Sequence, residues 1–182
     1  NISRRLPFAL MKAIKALGRS EDATLYMTLL AAFQVLLYRY TGQEDFTIGS
    51  PIANRNRAEV EGLIGLFVNT LVLRADLPAD AVDRLSFRTL LRQVRDFTLE
   101  AYANQDLPFD TLVEALRPER NLSYNPLFQV MFILQNAASS QNFAMSDLKM
   151  SMMDVETGTS TFDLTLMVAE GVEGLETSIE YN

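Results

Sequence analysis

Histidine and cysteine are both absent from this chain of 182 residues. Without cysteine the chain has no disulfide, no thiolate nucleophile and no Cys-ligated zinc site. Without histidine it cannot supply a Ser–His–Asp or Cys–His catalytic set, an HExxH zinc motif or an imidazole general base. An enzyme that needs an imidazole must therefore obtain it from outside this chain.

A membrane-spanning segment and a basic stripe are also missing from the sequence. The longest apolar stretch, residues 26–37, is interrupted by Thr28 and Gln34 and is far shorter than the roughly 20 residues that a span needs. No signal-peptide pattern is present, so we expect no membrane association and a cytoplasmic location. The formal net charge of −7 lies in residues 145–182, where eight acidic side chains accompany one lysine. An acidic chain of this kind argues against nucleic-acid binding.

The chain does contain enough apolar material for a folded core, since 48% of its residues are hydrophobic and 21% are charged. This composition is typical of globular proteins. The length fits one ordinary domain or one lobe of a larger domain. The chain does not begin with Met and stops inside a strand-like segment, so we expect a piece of a longer polypeptide.

Helical and strand-like segments are interspersed along the chain. Apolar spacing predicts helices at 8–17, 23–40, 86–103 and 106–117, with Asp22, Ser86 and Asp106 as N-caps and Gly42 as a C-terminal stop. The helix over 23–40 is apolar on all sides, which is typical of a buried central element. Strands are predicted at 46–52, 67–74, 127–134, 149–155, 162–169 and 175–181, with a short helix or turn at 59–65 and loops at 78–86 and 139–142. The strand at 127–134 is expected to be buried on both faces, and the last two strands to form a hairpin. This order predicts an α/β fold with a mixed sheet and packed helices.

Asn69 is the most informative polar residue. In a strand over 67–74 its side chain shares one face with Phe67, Leu71 and Leu73. A carboxamide on an apolar face is costly unless its hydrogen bonds are satisfied. Asn69 therefore either satisfies backbone groups at the start of the strand, or lines a cleft and donates to a substrate carbonyl.

Other polar residues allow the same two kinds of interpretation. Gln129 shares a predicted strand face with apolar neighbours and is either structural or ligand-facing. Arg55 and Arg57 follow a strand end, where loops often bind ligands, although a solvated or ion-paired arginine is the commoner case. The face formed by Arg88, Arg92 and Arg95 is either a solvated helix surface or a docking surface for an acidic partner.

Several long blocks occur in a familiar order. They are TLLAAFQVLLYRYTGQEDFTIGSPIANRNRAEVEGLIGLFVNTLVLR (28–74), YANQDLPFDTLVEAL (102–116), NPLFQVMFILQN (125–136) and FDLTL…IEYN (162–182). Together they resemble the C-terminal half of the condensation domain of nonribosomal peptide synthetases, and the resemblance covers almost the whole chain.

This resemblance implies a fold and an activity. Condensation domains have two lobes, each similar to chloramphenicol acetyltransferase, with a channel between them. Two peptidyl carrier proteins present phosphopantetheine-bound thioesters from opposite ends, and the acceptor amine attacks the donor thioester to form an amide. On this basis residues 1–182 are one C-terminal lobe, with the N-terminal lobe, its HHxxxDG motif and a final helix outside the chain. The implied partners are that N-terminal lobe, the carrier proteins and an adjacent adenylation domain; no cofactor is expected to bind here directly.

The resemblance also carries over to individual residues. The IGxFVNT block of the family matches residues 64–70, so Asn69 is expected to line the channel, and we add Gln129 and Arg57 as further channel candidates. The HQDxPF block matches residues 104–109, with Asn104 where the family usually has histidine. No catalytic residue and no metal ligand is assigned to this chain, so the isolated lobe is expected to be inactive and to expose apolar surface.

Two other functions remain open from the sequence. The lobe could be a non-catalytic module that binds its N-terminal lobe or a carrier protein without turnover. It could also be a stand-alone acetyltransferase of the chloramphenicol type, which would need a catalytic histidine of its own. An upstream HHxxxDG motif in the same polypeptide would favour the enzyme over the binding module.

Overall fold

The fold is that of a computed structural model, which describes residues 1–55, 57–77, 86–118, 124–135 and 159–182. The helices and strands are, in chain order, β1 (Ile2–Pro7), α1 (Phe8–Ser20), α2 (Leu25–Thr41), β2 (Asp45–Ile52), α3 (Ala58–Glu61), β3 (Asn69–Asp76), α4 (Phe87–Ala103), α5 (Phe109–Leu116), β4 (Val130–Gln135), β5 (Leu164–Gly171) and β6 (Gly174–Tyr181).

The six strands form one mixed sheet in the order β1-β6-β5-β4-β2-β3. Strand β4 runs parallel to both β2 and β5, and the remaining pairs are antiparallel. Strands β5 and β6 form the expected hairpin, and Gly174 at its turn has a φ of 144°. The sequence-based prediction of an α/β fold with a mixed sheet is confirmed. Strands β1 and β3 lie at the two edges of this sheet.

One hydrophobic core joins helices α1, α2 and α4 to the sheet. Each of the strands β2 to β6 contributes at least one buried side chain to this core, and among the helices α2 contributes the most. The core includes Met11, Met27, Leu30, Phe33, Ile48, Leu73, Leu91, Phe132, Val168 and Leu175. Burial of α2 is incomplete, because Leu36 and Tyr40 near its C-terminal end are exposed. The expectation of a helix buried on all sides is therefore wrong, because Ala32 in the first half is exposed as well.

The ends of α1 and α2 differ from the prediction. The N-cap of α2 is Thr24, whose Oγ1 accepts a hydrogen bond from the Met27 amide at 3.2 Å, whereas Asp22 occupies the preceding turn with a φ of 53°. Gly18 lies inside α1 and not at its end; an added Cβ there would meet Thr28 Oγ1 at 2.7 Å. Glycine at this point lets the two helices approach closely. The predicted stop at Gly42 is confirmed by its left-handed conformation.

Three strands begin later than the apolar pattern suggests, and one strand was not predicted. Strands β3, β4 and β5 start at Asn69, Val130 and Leu164, and the apolar residues just before them lie in loops. Strand β1 lacks apolar alternation and forms through pairing with β6, from Ile2 opposite Ile179 to Pro7 opposite Gly174. Helix α4 begins after its predicted cap Ser86, whereas α5 has Pro108 and not Asp106 as its N-cap. The predicted strand at 149–155, the loop at 139–142 and most of the loop at 78–86 lie outside the described residues.

A buried carboxylate connects the α1–α2 turn to α4. The side chain of Glu21 is only 5% exposed and accepts hydrogen bonds from Arg88 and, at 2.6 Å, from Arg92. The Glu21 carbonyl oxygen accepts from Arg95 Nη1 at 2.8 Å. The hydrogen bond from Arg88, followed by the one from Arg92, lowers the pKa of Glu21 below its ordinary value. The arginine face of α4 thus has an acidic partner within the chain itself.

We expect this carboxylate to make stability depend on pH. Because the folded-state pKa of Glu21 is lowered, its contribution is complete above the unfolded-state pKa of about 4.3 and is lost as the pH falls below that value. Glu21→Gln should therefore reduce the free energy of unfolding at pH 7 and flatten its decline between about pH 5 and pH 3. Urea denaturation at a series of pH values measures both effects. The exposed Glu59 supplies the control Glu59→Gln, and equal pH profiles for the two variants would contradict the assignment.

Candidate functional site

The candidate site lies where β2 ends and β3 begins. Ile52, the last residue of β2, pairs with Asn69, the first residue of β3, and the loop between them carries the short helix α3. The segment that leads into α5 packs beside the start of β3. The family block that marks Asn69 thus falls on a loop and the first two residues of an edge strand.

Asn69 fixes the segment that precedes α5. Its Nδ2 donates to the carbonyl oxygens of Gln105 and Leu107, at 3.0 and 2.8 Å, and its Oδ1 accepts from the Phe109 amide at 3.1 Å. Both amide hydrogens of the carboxamide are therefore in use. Of the two interpretations of Asn69, this geometry supports the one in which the side chain satisfies backbone groups. Donation to a substrate would require one of these bonds to break.

An aromatic stack extends from the start of α5 across the sheet. The Phe128 ring is 2% exposed and lies 5.7 Å from the Phe109 ring and 5.4 Å from the Phe162 ring, measured between centroids. It covers Gly49 so closely that an added Cβ would be 2.3 Å from the ring. Because side chains alternate along β2, this ring packs on the sheet face opposite Ile48. The start of α5 is thus held by Asn69 and by Phe128.

Arg55 organises the loop between β2 and β3. Its Nη1 donates to the carbonyl of Val60 and to those of Glu61 and Leu63, at 3.2 and 2.9 Å, and its Nη2 donates to Gly65 at 3.3 Å. The guanidinium carbon also lies 4.3 Å from the centroid of the Phe67 ring. The sequence suggested a solvated, ion-paired or ligand-binding arginine, and its role as a binder of backbone carbonyls was missed.

The predicted channel residues are not all brought together. Arg57 is exposed at the start of α3, in the loop that joins β2 to β3. Gln129 is also exposed, precedes β4, and donates from Nε2 to the Asn125 carbonyl at 3.0 Å. The pairing of Ile48 with Val130 puts Gln129 level with Thr47, five residues before Ile52. At about 3.3 Å per residue, Gln129 lies about 16 Å from Asn69 along the strand direction.

Asn104 makes a purely local contact. It is the C-cap residue of α4, it is exposed, and its Nδ2 donates to the Glu100 carbonyl at 3.0 Å. This bond stays within the last turn of the helix that Asn104 terminates.

Apolar side chains on the β2–β3 loop are exposed. Leu63, Ile64, Leu66 and Val68 form a set that we name the apolar ridge; Ile64 is fully exposed and Leu66 is 92% exposed. Leu107, which follows the Asn69-bound segment, is also exposed. Contiguous exposed apolar residues of this kind mark sites of interaction with another surface.

Two tyrosines have raised pKa values, Tyr26 and Tyr102. Burial raises the pKa of Tyr26 well above its ordinary value, and its hydroxyl donates to Ser50 Oγ at 2.7 Å. Ser50 Oγ in turn donates to the Phe132 carbonyl at 3.1 Å. Tyr26 thus remains protonated as part of a core hydrogen-bond chain.

An apolar pocket of about 180 Å³ lies elsewhere, near the end of β3 and the start of α4. Its lining residues are Val35, Tyr38, Arg39, Leu77, Ser86, Phe87 and Leu90. Leu77 follows the end of β3 that is remote from Asn69, so this pocket does not belong to the candidate site. Within the described ranges, no group of three or more His, Cys, Asp or Glu side chains could hold a metal ion. In the same ranges no helix is long and apolar enough to cross a bilayer.

Comparison with known proteins identifies the family. The family model for the condensation domain matches residues 1–182. The chain belongs to the condensation domain family. It is 53% identical to one of the linear gramicidin synthase proteins of Brevibacillus parabrevis over 175 residues, which is 95% of this chain. It is 46% identical to chondramide synthase cmdD of Chondromyces crocatus over 178 residues, or 98% of the chain.

Solved structures agree with the fold of this condensation domain segment. The condensation domain from the Monacolin K polyketide synthase MokA matches with a TM-score of 0.82 and 26% identity, over all of this chain and 41% of that one. The X-domain from teicoplanin biosynthesis has a TM-score of 0.86 and 24% identity, over 99% of this chain and 41% of that one. By contrast, the chain spans only 3% of the linear gramicidin synthase protein and 4% of the chondramide synthase.

The contacts of Asn69 lead to a prediction about stability and local exchange. Asn69→Ala leaves two carbonyls and the Phe109 amide without their partner, so we expect a loss of about 1–3 kcal/mol in the free energy of unfolding. The Phe109 amide should also exchange faster with deuterated solvent. Urea denaturation and hydrogen exchange measure the two effects.

Asn104→Ala is the matched control, because it removes one exposed bond within a helix end. We expect it to change the free energy of unfolding by less than about 0.5 kcal/mol. Equal effects of the two substitutions, or unchanged exchange at Phe109 in Asn69→Ala, would contradict the structural role of Asn69.

Proposed function

We propose that this chain is the C-terminal lobe of a condensation domain that joins two carrier-bound thioesters through an amide bond. The observation that carries the proposal is that a condensation domain model matches all 182 residues, while the chain spans 41% of a solved condensation domain. The absence of histidine agrees with it, because the imidazole motif that the resemblance implies belongs to the other lobe.

The proposed reaction divides its requirements between the two lobes. The acceptor amine attacks the thioester carbonyl, a C–N bond forms, the C–S bond breaks, and the amine proton leaves with the phosphopantetheine thiol. This chain has no imidazole with which to move that proton. Its proposed contribution is a wall that holds the two thioesters in place, a role in which correct orientation alone gives large rate factors.

Asn69 supports this wall through its contacts with the backbone. Its hydrogen bonds to Gln105, Leu107 and Phe109 hold the segment before α5 against the start of β3. We therefore propose that Asn69 shapes the channel by fixing this segment. Arg57, in the loop that joins β2 to β3, remains a proposed channel residue. Gln129 is another, about 16 Å from Asn69 along the strand direction.

The proposed partners follow from the same assignment. The apolar ridge is proposed to pack against the N-terminal lobe, since four exposed apolar side chains on one loop favour burial. Peptidyl carrier proteins would deliver the phosphopantetheine thioesters, and an adenylation domain would lie in the same polypeptide. The cytoplasmic location expected from the sequence remains part of the proposal.

A non-catalytic binding module is the second candidate function. The apolar ridge favours it as much as it favours the enzyme, because either function needs a docked partner. The two functions differ in whether the complete domain turns over. A stand-alone acetyltransferase would need a histidine that the 182 residues lack.

Amide formation tests the proposed activity. We expect the complete condensation domain, given loaded donor and acceptor carrier proteins, to form the amide in a single turnover. Residues 1–182 alone should not accelerate amide formation above the rate that the loaded carrier proteins show by themselves, since they lack the proton-handling lobe. Mass spectrometry of the carriers measures the product, and circular dichroism shows whether the separate lobe is folded. Amide formation by the separate lobe would overturn this division, whereas a folded complete domain that never condenses its carriers would favour the binding module.

Exposure of the apolar ridge predicts self-association of the separated lobe. Burying one isoleucine side chain contributes about 1.5–3 kcal/mol, so Ile64→Ser should weaken self-association by about tenfold or more. Sedimentation velocity over a range of concentrations measures this change. Tyr40→Ser is the control, because Tyr40 is 85% exposed and lies beyond the opposite end of β2. A strictly monomeric wild-type lobe, or equal effects of the two substitutions, would contradict the role of the ridge.

A further inference from the structure

We propose that Arg55 is a positioning residue for the condensation reaction, because its guanidinium holds the loop that carries the apolar ridge in one conformation. Only the expected effect on amide formation rests on the proposed function. The ordering of the loop by Arg55 is argued from contacts within this chain and is tested separately.

The contacts of Arg55 gather carbonyls from a six-residue stretch of backbone. Oxygens of Val60, Glu61, Leu63 and Gly65 all accept from its two terminal nitrogens. The Val60 carbonyl also accepts from the Gly62 and Leu63 amides. The other three belong to the end of α3 and the turn after it, where helix carbonyls lack intrahelical partners. A positive charge beside the C-terminal end of a helix is favourable in addition. Arg55 therefore caps α3 and the turn that follows it with a single side chain.

Besides these contacts, the loop has short-range backbone hydrogen bonds from Val60 to the Arg57 carbonyl and from Gly62 and Leu63 to the Val60 carbonyl. Of its described residues from Arg57 to Leu66, none has a buried side chain. A helix of four residues is not stable by itself in water, because nucleation fixes several residues for one hydrogen bond. The half-buried Phe67 ring, which lies 4.3 Å from the guanidinium carbon, adds a cation–π contact that ties the charged group to the base of the loop.

The position of the ridge depends directly on these contacts. Leu63 belongs to it, Gly65 lies inside it, and Phe67 precedes its last member, Val68. An unconstrained loop would have to lose conformational freedom when a partner surface docks, which weakens docking and misplaces the wall. Arg55 removes that requirement by ordering the ridge before docking. The proposed partner surface is the N-terminal lobe of the same domain, whose residues lie outside this chain.

Lysine cannot replace Arg55 in this role. Its single ammonium group has three hydrogens on one atom, whereas the guanidinium presents donors from two terminal nitrogens in a plane that also lies over Phe67. Arg55→Lys preserves the charge and most of the volume, so it isolates the geometry of the carbonyl contacts. Phe67→Leu is the complementary variant, because it keeps an apolar side chain and removes the ring under the guanidinium.

The test compares these variants with Arg39→Lys in the complete domain; Arg39 lies on α2 and has no part in the loop. Hydrogen exchange of residues 60–66 should become faster in Arg55→Lys, and less so in Phe67→Leu, with the urea midpoint of the domain unchanged. Single-turnover amide formation should fall by about 10- to 100-fold in Arg55→Lys, the scale expected for a misplaced wall. The concentration of carrier protein giving half-maximal rate should change little, and Arg39→Lys should behave as wild type.

Each contrary outcome has a distinct meaning. Unchanged exchange of residues 60–66 in Arg55→Lys would overturn the inference itself. Faster exchange together with an unchanged rate of amide formation would overturn the link to the reaction. A loss of rate that follows a lowered urea midpoint would show a general stabilising role in place of positioning. If the wild-type domain forms no amide, the proposed function fails, while the exchange measurement still decides whether Arg55 orders the loop.

Discussion

Backbone carbonyls that leave regular secondary structure must find hydrogen-bond donors, and this requirement shapes the end of the sheet that carries the candidate site. Six such carbonyls lie around the β2–β3 loop and the segment before α5. Arg55 donates to four of them, and Asn69 donates to two and accepts from the Phe109 amide. Two polar side chains therefore define the course of two loops. The exposed apolar side chains of the ridge depend on this polar support.

The turn between α1 and α2 uses the same chemistry with the charges exchanged. There a single carboxylate, Glu21, receives Arg88 and Arg92, while its carbonyl receives Arg95. The three arginines of α4 are thus directed at the turn between α1 and α2. In both regions a charged side chain binds several groups. Glu21 contacts arginines 67 and 71 residues further along the chain, whereas Arg55 binds carbonyls 5 to 10 residues away. Hydrogen bonds of this kind, with one ionised partner, are stronger than neutral ones and fix orientation as well as distance.

Membership of the condensation domain family gives these local contacts a functional setting. The chain supplies the six-stranded sheet, its helices and an exposed apolar loop, but no imidazole. A division in which one lobe shapes a channel and the other moves the proton is consistent with this content. It also explains why the polar residues that stand out here, Asn69 and Arg55, bind backbone atoms and are not arranged as an acid–base pair.

The sequence by itself determined the α/β class, the mixed sheet, the hairpin of β5 and β6, and the positions of four helices, because periodicity and capping are local properties. It also determined the family, because long blocks of residues match in order.

The tertiary structure decided which groups the polar side chains contact. The edge strand β1 forms through pairing with β6, at the other end of the chain, and Phe67, predicted to lie in a strand, lies in the loop with its ring against Arg55. Asn69, Arg55 and Glu21 each had several chemically reasonable partners in the sequence. For Asn69 and Glu21 only the packing of whole elements determined which distant group came within hydrogen-bond distance, whereas the partners of Arg55 lie within its own loop.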